Sequence, residues 1–134
     1  MPKKIFIITS SRAEYHLLKP LIKEIATSSH FNMELIVTGT HLEKKMGFTI
    51  TDIQKDHFKI AYKVRILYGQ DDILGINQAM SRIFKKFPPI FLKNRPDFIC
   101  LLGDRYEIFG IACSTPTSNS NYPSLRWGCN RGCL

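Results

Sequence analysis

Short apolar runs alternate along this chain with longer stretches in which apolar residues recur at helical spacing. Residues 4–9 (Lys-Ile-Phe-Ile-Ile-Thr) are apolar on both faces of a strand. Residues 13–27 carry one apolar stripe of helical period, formed by Leu17, Leu18, Leu21, Ile22 and Ile25. The pattern predicts strands at 4–9, 33–37, 59–67 and 97–102, and helices at 13–27, 51–55 and 74–87, the last interrupted by Pro88-Pro89 and resumed to 93. Strand alternating with helix is typical of an α/β fold, a Rossmann-like parallel sheet with right-handed crossovers.

Polar residues follow three of the four predicted strands. They are Ser10, Ser11 and Arg12 after the first strand, Thr38, Gly39 and His41 after the second, and Gly103, Asp104, Arg105 and Glu107 after the fourth. Because the carboxyl ends of parallel strands meet at one edge of the sheet, we expect these groups to line one crevice. Free amide groups at a helix start and two arginines suit anionic oxygens, which predicts a site for phosphate and sugar. Two residues also have a structural interpretation, Asp104 as a helix N-cap and His41 as a structural histidine.

The familiar cofactor and metal motifs are absent. No Gly-x-Gly-x-x-Gly follows the first strand, and there is no P-loop, so the chain carries neither a dinucleotide nor an ATP fingerprint. Cys129 and Cys133 have no second close cysteine pair, and no histidine follows His57. We therefore expect no metal site.

Length and charge restrict the remaining classes. At 134 residues and 44% hydrophobic content, the chain fits one core on the usual scale of about 100 to 200 residues per domain. The net charge of +8 suggests nucleic acid as a partner, but the lysines are dispersed and no basic run is interleaved with exposed aromatics. We therefore expect no nucleic-acid partner.

The N-terminal region does not resemble an export signal or a membrane span. Its apolar run, residues 5–8, is too short for either, so we expect no membrane partner. Cys100 and Cys113 fall in apolar patterns that predict buried thiols of a reducing compartment. These features together favour a cytoplasmic protein.

Three motifs in order carry a resemblance to a known enzyme family. They are Ile-Thr-Ser-Ser-Arg-Ala-Glu-Tyr (8–15) followed by Leu-Leu-Lys-Pro-Leu, then Leu-Ile-Val-Thr-Gly-Thr-His-Leu (35–42), and Leu-Gly-Asp-Arg-Tyr-Glu-Ile-Phe (102–109). Over residues 3 to about 113, the chain resembles the hydrolysing UDP-N-acetylglucosamine 2-epimerases of sialic-acid and legionaminic-acid biosynthesis. The resemblance implies that residues 1–113 are part of the first of two Rossmann-like domains that face each other across a cleft, the glycosyltransferase-B arrangement.

The activity implied by this resemblance acts on UDP-N-acetylglucosamine or a related nucleotide sugar. Such enzymes eliminate UDP to leave a glucal-type intermediate, and then add water to give N-acetylmannosamine. The chemistry implies no metal, nicotinamide or other cofactor, and the parent enzyme is expected to be a homo-oligomer. Because the cleft needs a second wall, the chain alone is expected to be inactive.

The resemblance also assigns roles to residues. Asp104 matches the acid/base aspartate of the family, and Arg105 and Arg12 match arginines that line the cleft, with Arg12 on the nucleotide-diphosphate side. His41 matches the histidine of the Gly-x-His-Leu motif, with a substrate-positioning role. The supporting residues are Ser11, Gly39, Gly103 and Glu107.

Two alternatives remain open. Within the same architecture, a non-hydrolysing epimerase or a glycosyltransferase is possible, although the Ser-Arg-Ala-Glu-Tyr and Asp-Arg-Tyr-Glu segments favour the hydrolysing branch. In a different class, the chain is a non-catalytic fragment that binds a nucleotide sugar through Arg12 and Arg105. UDP, GDP and bacillosamine-type sugars are all compatible with these residues.

The tail, residues 114–134, departs from the family pattern. It begins with the polar run Ser-Thr-Pro-Thr-Ser-Asn-Ser-Asn-Tyr-Pro, whose composition predicts a disordered tail or linker. Alternatively, the codons for residues 126–133, read one nucleotide later, permit Gly-Gly-Asp-Val-Thr-Glu-Gly-Ala. That reading resembles the His-x-His-Gly-Gly-Asp/Glu motif of the family, although the shifted codon before it cannot encode the second histidine. The second hypothesis is therefore out-of-frame translation that begins shortly after Cys113.

Overall fold

The computed structural model describes residues 1–115 and the backbone of residues 124–128. The strands are β1 (Lys3–Thr9), β2 (Phe31–Thr38), β3 (Ile60–Val64), β4 (Phe98–Leu102) and β5 (Ser124–Gly128). The α-helices are α1 (Arg12–Thr27), α2 (Ile50–Lys55), α3 (Ile73–Asn94) and α4 (Tyr106–Ser114), and two short 3₁₀ segments, Gly39–Leu42 and Lys44–Met46, follow β2. Strand and helix therefore alternate as the sequence predicts.

All five strands are parallel and lie in the order β3-β2-β1-β4-β5. The chain moves outward from β1 to β3, and then returns to the other side of β1 with β4. The order of the strands thus reverses between β1 and β4, which is where ligands bind in open α/β sheets. The prediction of a Rossmann-like α/β fold is confirmed.

The central strand β1 is buried on both faces, because consecutive side chains of a strand point to opposite sides of the sheet. Phe6 and Ile8 pack into a cluster with residues of α3 and α4, whereas Ile5 and Ile7 pack into a cluster with residues of α1 and α2. This double burial explains why the strand has an unbroken apolar run in the sequence.

The prediction that Pro88-Pro89 interrupts the third helix is wrong, since α3 continues through both prolines. Neither proline has an N–H, so two carbonyls one turn earlier lose their helical donors, at a cost of about 3 kcal/mol or more for a proline in a helix interior. Phe87 and Phe91 flank the prolines and lie fully in the core. Burying each such side chain contributes roughly 1.5 to 3 kcal/mol, which offsets part of the cost of the two prolines.

The cysteines differ partly from expectation. Cys100 on β4 is partly buried, but Cys113 is exposed, so its predicted burial is wrong. Cys113 lies one turn after the exposed Phe109, on the face of α4 that points away from the core. Cys129 and Cys133 lie outside the described residues.

Within the tail, the backbone of β5 pairs in parallel with β4, from Phe98↔Ser124 to Leu102↔Gly128. It extends the sheet on the side of β1 opposite β2. In the part of the chain that the structure describes, no helix has both the length and the apolarity to cross a bilayer.

Candidate functional site

A cavity of about 610 Å³ lies at the carboxyl edge of the sheet, where the β1–α1 and β4–α4 turns meet. Five residues predicted for the site line it, namely Ser11, Arg12, Gly103, Asp104 and Arg105. Glu14, Thr40 and Asp52 line it as well, and the sequence did not single out these three. The volume falls in the range of about 300 to 1,000 Å³ that is usual for small-molecule sites.

The β1–α1 turn presents the start of a helix to this cavity. Ser11 is the N-cap of α1, and its hydroxyl accepts a hydrogen bond from the Glu14 amide at 3.4 Å. Arg12 follows with a side chain that is 67% exposed, and its Nε lies 3.8 Å from a carboxylate oxygen of Asp52 on α2. The amide groups and dipole of the helix start, together with an accessible guanidinium, favour an anionic ligand.

The β4–α4 turn holds the other cation of the site. The guanidinium of Arg105 donates two hydrogen bonds to Glu107, from Nε at 3.1 Å and from Nη2 at 3.0 Å. Glu107 is fully buried, whereas Arg105 remains partly exposed. The hydrogen bonds to Glu107 raise the pKa of Arg105 above its ordinary value. Glu107 thus anchors Arg105 at the rim of the cavity, while Asp104 is exposed beside it.

The turn after β2 is tied directly to the turn after β1. Thr40 donates two hydrogen bonds to the carbonyl of Ser10, from its amide at 2.9 Å and from its hydroxyl at 3.0 Å. Gly39 has a φ of +62°, and a Cβ placed there would lie 2.5 Å from the same carbonyl oxygen. Only a glycine allows the two turns to approach this closely.

His41 lies beneath the crevice and does not line the cavity. Its ring is fully buried, with Nε2 2.9 Å from the Thr9 hydroxyl and Nδ1 2.8 Å from the Thr49 hydroxyl. Burial lowers the pKa of His41 to about 4, so the ring is neutral at pH 7. The Thr9 hydroxyl donates to the Ser11 carbonyl at 3.4 Å, so it accepts the Nε2–H of the ring. His41 therefore connects β1, the turn after β2 and the segment before α2.

Glu14 is a site residue that the sequence analysis missed. One carboxylate oxygen, Oε2, accepts hydrogen bonds from the amide of Ser10 at 3.0 Å and from its hydroxyl at 2.7 Å. The other oxygen, Oε1, is buried without a hydrogen-bond partner among the described residues. The spacing Ser11-x-x-Glu14 is that of a capping box, and this pattern could have indicated Glu14 from the sequence. In the structure the carboxyl group bonds to Ser10 instead of to the N-cap residue.

Together these turns place the guanidinium groups of Arg12 and Arg105 and the exposed carboxylate of Asp104 around a single cavity, which Asp52 and Glu14 also line. The cations can bind anionic oxygens, and Asp104 can accept or donate a proton. Among the residues that the structure describes, no three histidine, cysteine or acidic side chains are grouped to hold a metal ion.

The comparisons with known proteins agree on one family. A family model described as UDP-N-acetylglucosamine 2-epimerase matches residues 23–119. The chain is 38% identical over 110 residues to a Campylobacter jejuni protein named GDP/UDP-N,N'-diacetylbacillosamine 2-epimerase (hydrolyzing), covering 82% of this chain and 28% of the relative. It is 35% identical over 117 residues to the Escherichia coli polysialic acid biosynthesis protein P7, covering 87% of this chain and 30% of the relative.

The fold also matches that of solved structures. The UDP-N-acetylglucosamine 2-epimerase of Neisseria meningitidis, solved with bound UDP-N-acetylglucosamine, superimposes with a TM-score of 0.63 at 15% identity, over 83% of this chain and 28% of the other. The chain thus spans about 28 to 30% of the length of these proteins. Since the family model covers most of its residues, the chain belongs to the UDP-N-acetylglucosamine 2-epimerase family.

Proposed function

We propose that this domain forms one side of the nucleotide-sugar cleft of a hydrolysing 2-epimerase. The observation that carries the proposal is the meeting of the Ser11-Arg12 turn and the Gly103-Asp104-Arg105 turn on one cavity, at the point where the strand order reverses. A diphosphate suits this place because a helix start and two guanidinium groups face it.

The reaction has two stages. In the first, a base removes the proton on the sugar carbon C2, the C1–O bond breaks with its electron pair, and UDP leaves an unsaturated glucal-type sugar. In the second, water supplies a hydroxyl to C1 and a proton returns to C2 from the opposite face, which gives N-acetylmannosamine. Both stages need proton-transfer groups and stabilisation of the departing diphosphate.

The residues of this domain divide these tasks. Asp104 acts as an acid/base group from the end of β4. Arg12 binds the diphosphate, and Arg105, held by Glu107, adds a second positive charge at the cavity rim. His41 positions the turn that carries Thr40, because its ring fills the space beneath that turn.

The substrate class follows from the chemistry of the site and from the relatives. A sugar that carries a nucleoside diphosphate on C1 satisfies both the anionic site and the need for a leaving group. The name of the Campylobacter jejuni relative supports an N-acetylated sugar on either UDP or GDP, and that of the Escherichia coli relative supports a product used for sialic acid. This choice can be tested in an active full-length member of the family in which the equivalent segment is replaced by residues 1–115 of this chain. The measurement compares kcat/KM for UDP-N-acetylglucosamine with kcat/KM for UDP-N,N'-diacetylbacillosamine.

Binding of UDP to the chain tests the anionic part of the proposal. We expect UDP to bind and uridine, which lacks the diphosphate, to bind much more weakly, as measured by calorimetric titration. Arg12→Ala should weaken UDP binding about fivefold, because an exposed charge pair contributes at most about 1 kcal/mol. Lys93→Ala is the matched control, since Lys93 is an exposed cation near the end of α3, at the opposite edge of the sheet. Equal losses in the two variants would contradict a specific role for Arg12.

Catalytic turnover by this chain is tested separately from UDP binding. We expect the 134-residue chain to release no UDP from UDP-N-acetylglucosamine above the background rate, because one side of a cleft cannot close around the sugar and exclude water. A coupled assay for free UDP measures this. Release above background would overturn the view that the rest of the cleft is needed for catalysis.

We propose that residues 114–134 are translated out of frame, as an account of the departure of this tail from the family motif. The family match ends at residue 119, so most of this segment, but not its first residues, lies beyond the match. Sequencing the DNA tests it. Codons that cannot encode Gly-Gly-Asp or Gly-Gly-Glu in either shifted frame would eliminate the idea.

A further inference from the structure

Glu14 is the buried acidic group of the crevice that the proposed chemistry leaves unused. The residue is only 5% exposed, and it lies at the bottom of the cavity between the β1–α1 turn and the β4–α4 turn. A Cβ built on Gly103, which has a φ of +125°, would lie 2.7 Å from Glu14 Oε1. This oxygen therefore sits directly below the residue that precedes Asp104.

The two oxygens of this carboxyl have different surroundings. Oε2 accepts two hydrogen bonds from Ser10, so this oxygen has the hydrogen-bond donors that a carboxylate oxygen needs. Oε1 has no hydrogen-bond partner in the described part of the chain and is shielded from solvent. A buried anionic oxygen without a donor is costly, whereas a neutral carboxyl needs much less compensation.

The charged groups that face Glu14 do not supply the missing compensation. From α4 and the turn before it come Arg105, Asp104 and Glu107, and the guanidinium of Arg105 is already engaged by both oxygens of Glu107. From the turn after β2 comes His41, which is neutral. On α1 itself, Arg12 points to Asp52. Burial is the main cause that raises the pKa of Glu14, and the charge of Glu107 adds to it, while Ser10 and Arg105 act in the opposite direction.

We propose that Glu14 carries a proton at neutral pH, and that this proton strengthens the binding of a diphosphate between the Ser11 and Gly103 turns. An ionised Glu14 would put a negative charge under the position that the diphosphate occupies. The proton removes that charge while the hydrogen bonds from Ser10 keep the carboxyl in place. The inference rests on the proposed function, because it takes the anion to be the diphosphate of a nucleotide.

The test compares UDP binding across pH 6 to 9 for the wild-type chain, Glu14→Gln and the control Glu24→Gln, which neutralises an exposed glutamate on the same helix. As the pH rises and Glu14 ionises, we expect the UDP affinity of the wild type and of Glu24→Gln to fall on the order of tenfold relative to that of Glu14→Gln. Coupling between two binding events in a protein commonly changes affinity by about 5-fold to 150-fold. The terminal phosphate of UDP itself titrates at about pH 6, so the difference between variants, and not a single profile, reports on Glu14.

A direct measurement covers the case in which Glu14→Gln folds poorly. In wild-type chain labelled with ¹³C, the carboxyl carbon of Glu14 should titrate above the ordinary value of 4.5, and saturating UDP should move its midpoint upward, because the coupling is reciprocal. Parallel affinity profiles for Glu14→Gln and Glu24→Gln, or a midpoint that UDP leaves unchanged, would overturn the inference while the proposed function stands. No UDP binding at any pH would overturn the proposed function, and the inference with it.

Discussion

Replacing the aspartate that matches Asp104 by asparagine, in an active full-length member of the family, should reduce kcat by a factor on the order of 10² to 10⁴. General acid/base groups contribute about this much. Asparagine keeps the shape of the side chain but cannot transfer a proton. Because Asp104 is exposed at the cavity and follows a glycine of the β4–α4 turn, the substitution should leave the fold and the affinity for UDP nearly unchanged.

Steady-state kinetics and UDP titration of the same variant separate these effects. Glu24→Gln at the equivalent position is the control, since Glu24 is an exposed carboxylate on α1 that does not line the cavity. If the Asp104→Asn variant kept near-normal turnover, Asp104 would be a structural residue of the turn and the catalytic role would be wrong.

Gly39→Ala should destabilise the chain by about 2 to 4 kcal/mol, which is a large part of the stability of a domain of this size. Two costs add together. The residue has a φ of +62°, which strains any side chain other than glycine, and the new Cβ would lie 2.5 Å from the backbone carbonyl of Ser10. A backbone carbonyl that already accepts two hydrogen bonds from Thr40 cannot move away without breaking them.

Gly47→Ala separates the two costs. Gly47 has a φ of +88°, but the nearest atom to a Cβ there is a methyl group of Thr49 at 3.8 Å. Chemical denaturation should therefore show a smaller loss for Gly47→Ala than for Gly39→Ala. Equal losses would mean that the contact between the turns after β1 and β2 contributes nothing beyond backbone strain.

The positions of the site turns were predictable because they depend on local patterns. A strand in the core of the sheet has an apolar run, and it ends where polar residues or glycine begin, as at Ser10 after β1 and at Gly103 after β4. Parallel strands then bring these ends to one edge of the sheet without further information. This is why Ser11, Arg12, Asp104 and Arg105 were found together in the cavity.

His41 and Glu14 could not be assigned in the same way, because burial depends on residues far away in the chain. The ring of His41 is enclosed by Thr9, 32 positions earlier, and by Thr49. The unpartnered oxygen of Glu14 faces Gly103, which reaches it only because β4 pairs with β1. No local pattern shows that one side chain points into the crevice and the other beneath it.

The sequence by itself determined the class of fold, the existence and approximate bounds of its main elements, and the turns that carry charged groups, since each depends on the periodicity of neighbouring residues. The tertiary structure decided the order β3-β2-β1-β4-β5, the continuity of α3 through Pro88-Pro89, and the environments of His41 and Glu14. The physical reason is the same in each case. Strand pairing, the burial of Phe87 and Phe91, and the desolvation of a carboxyl are energies of contact between distant segments, and these energies exist only after the chain has folded.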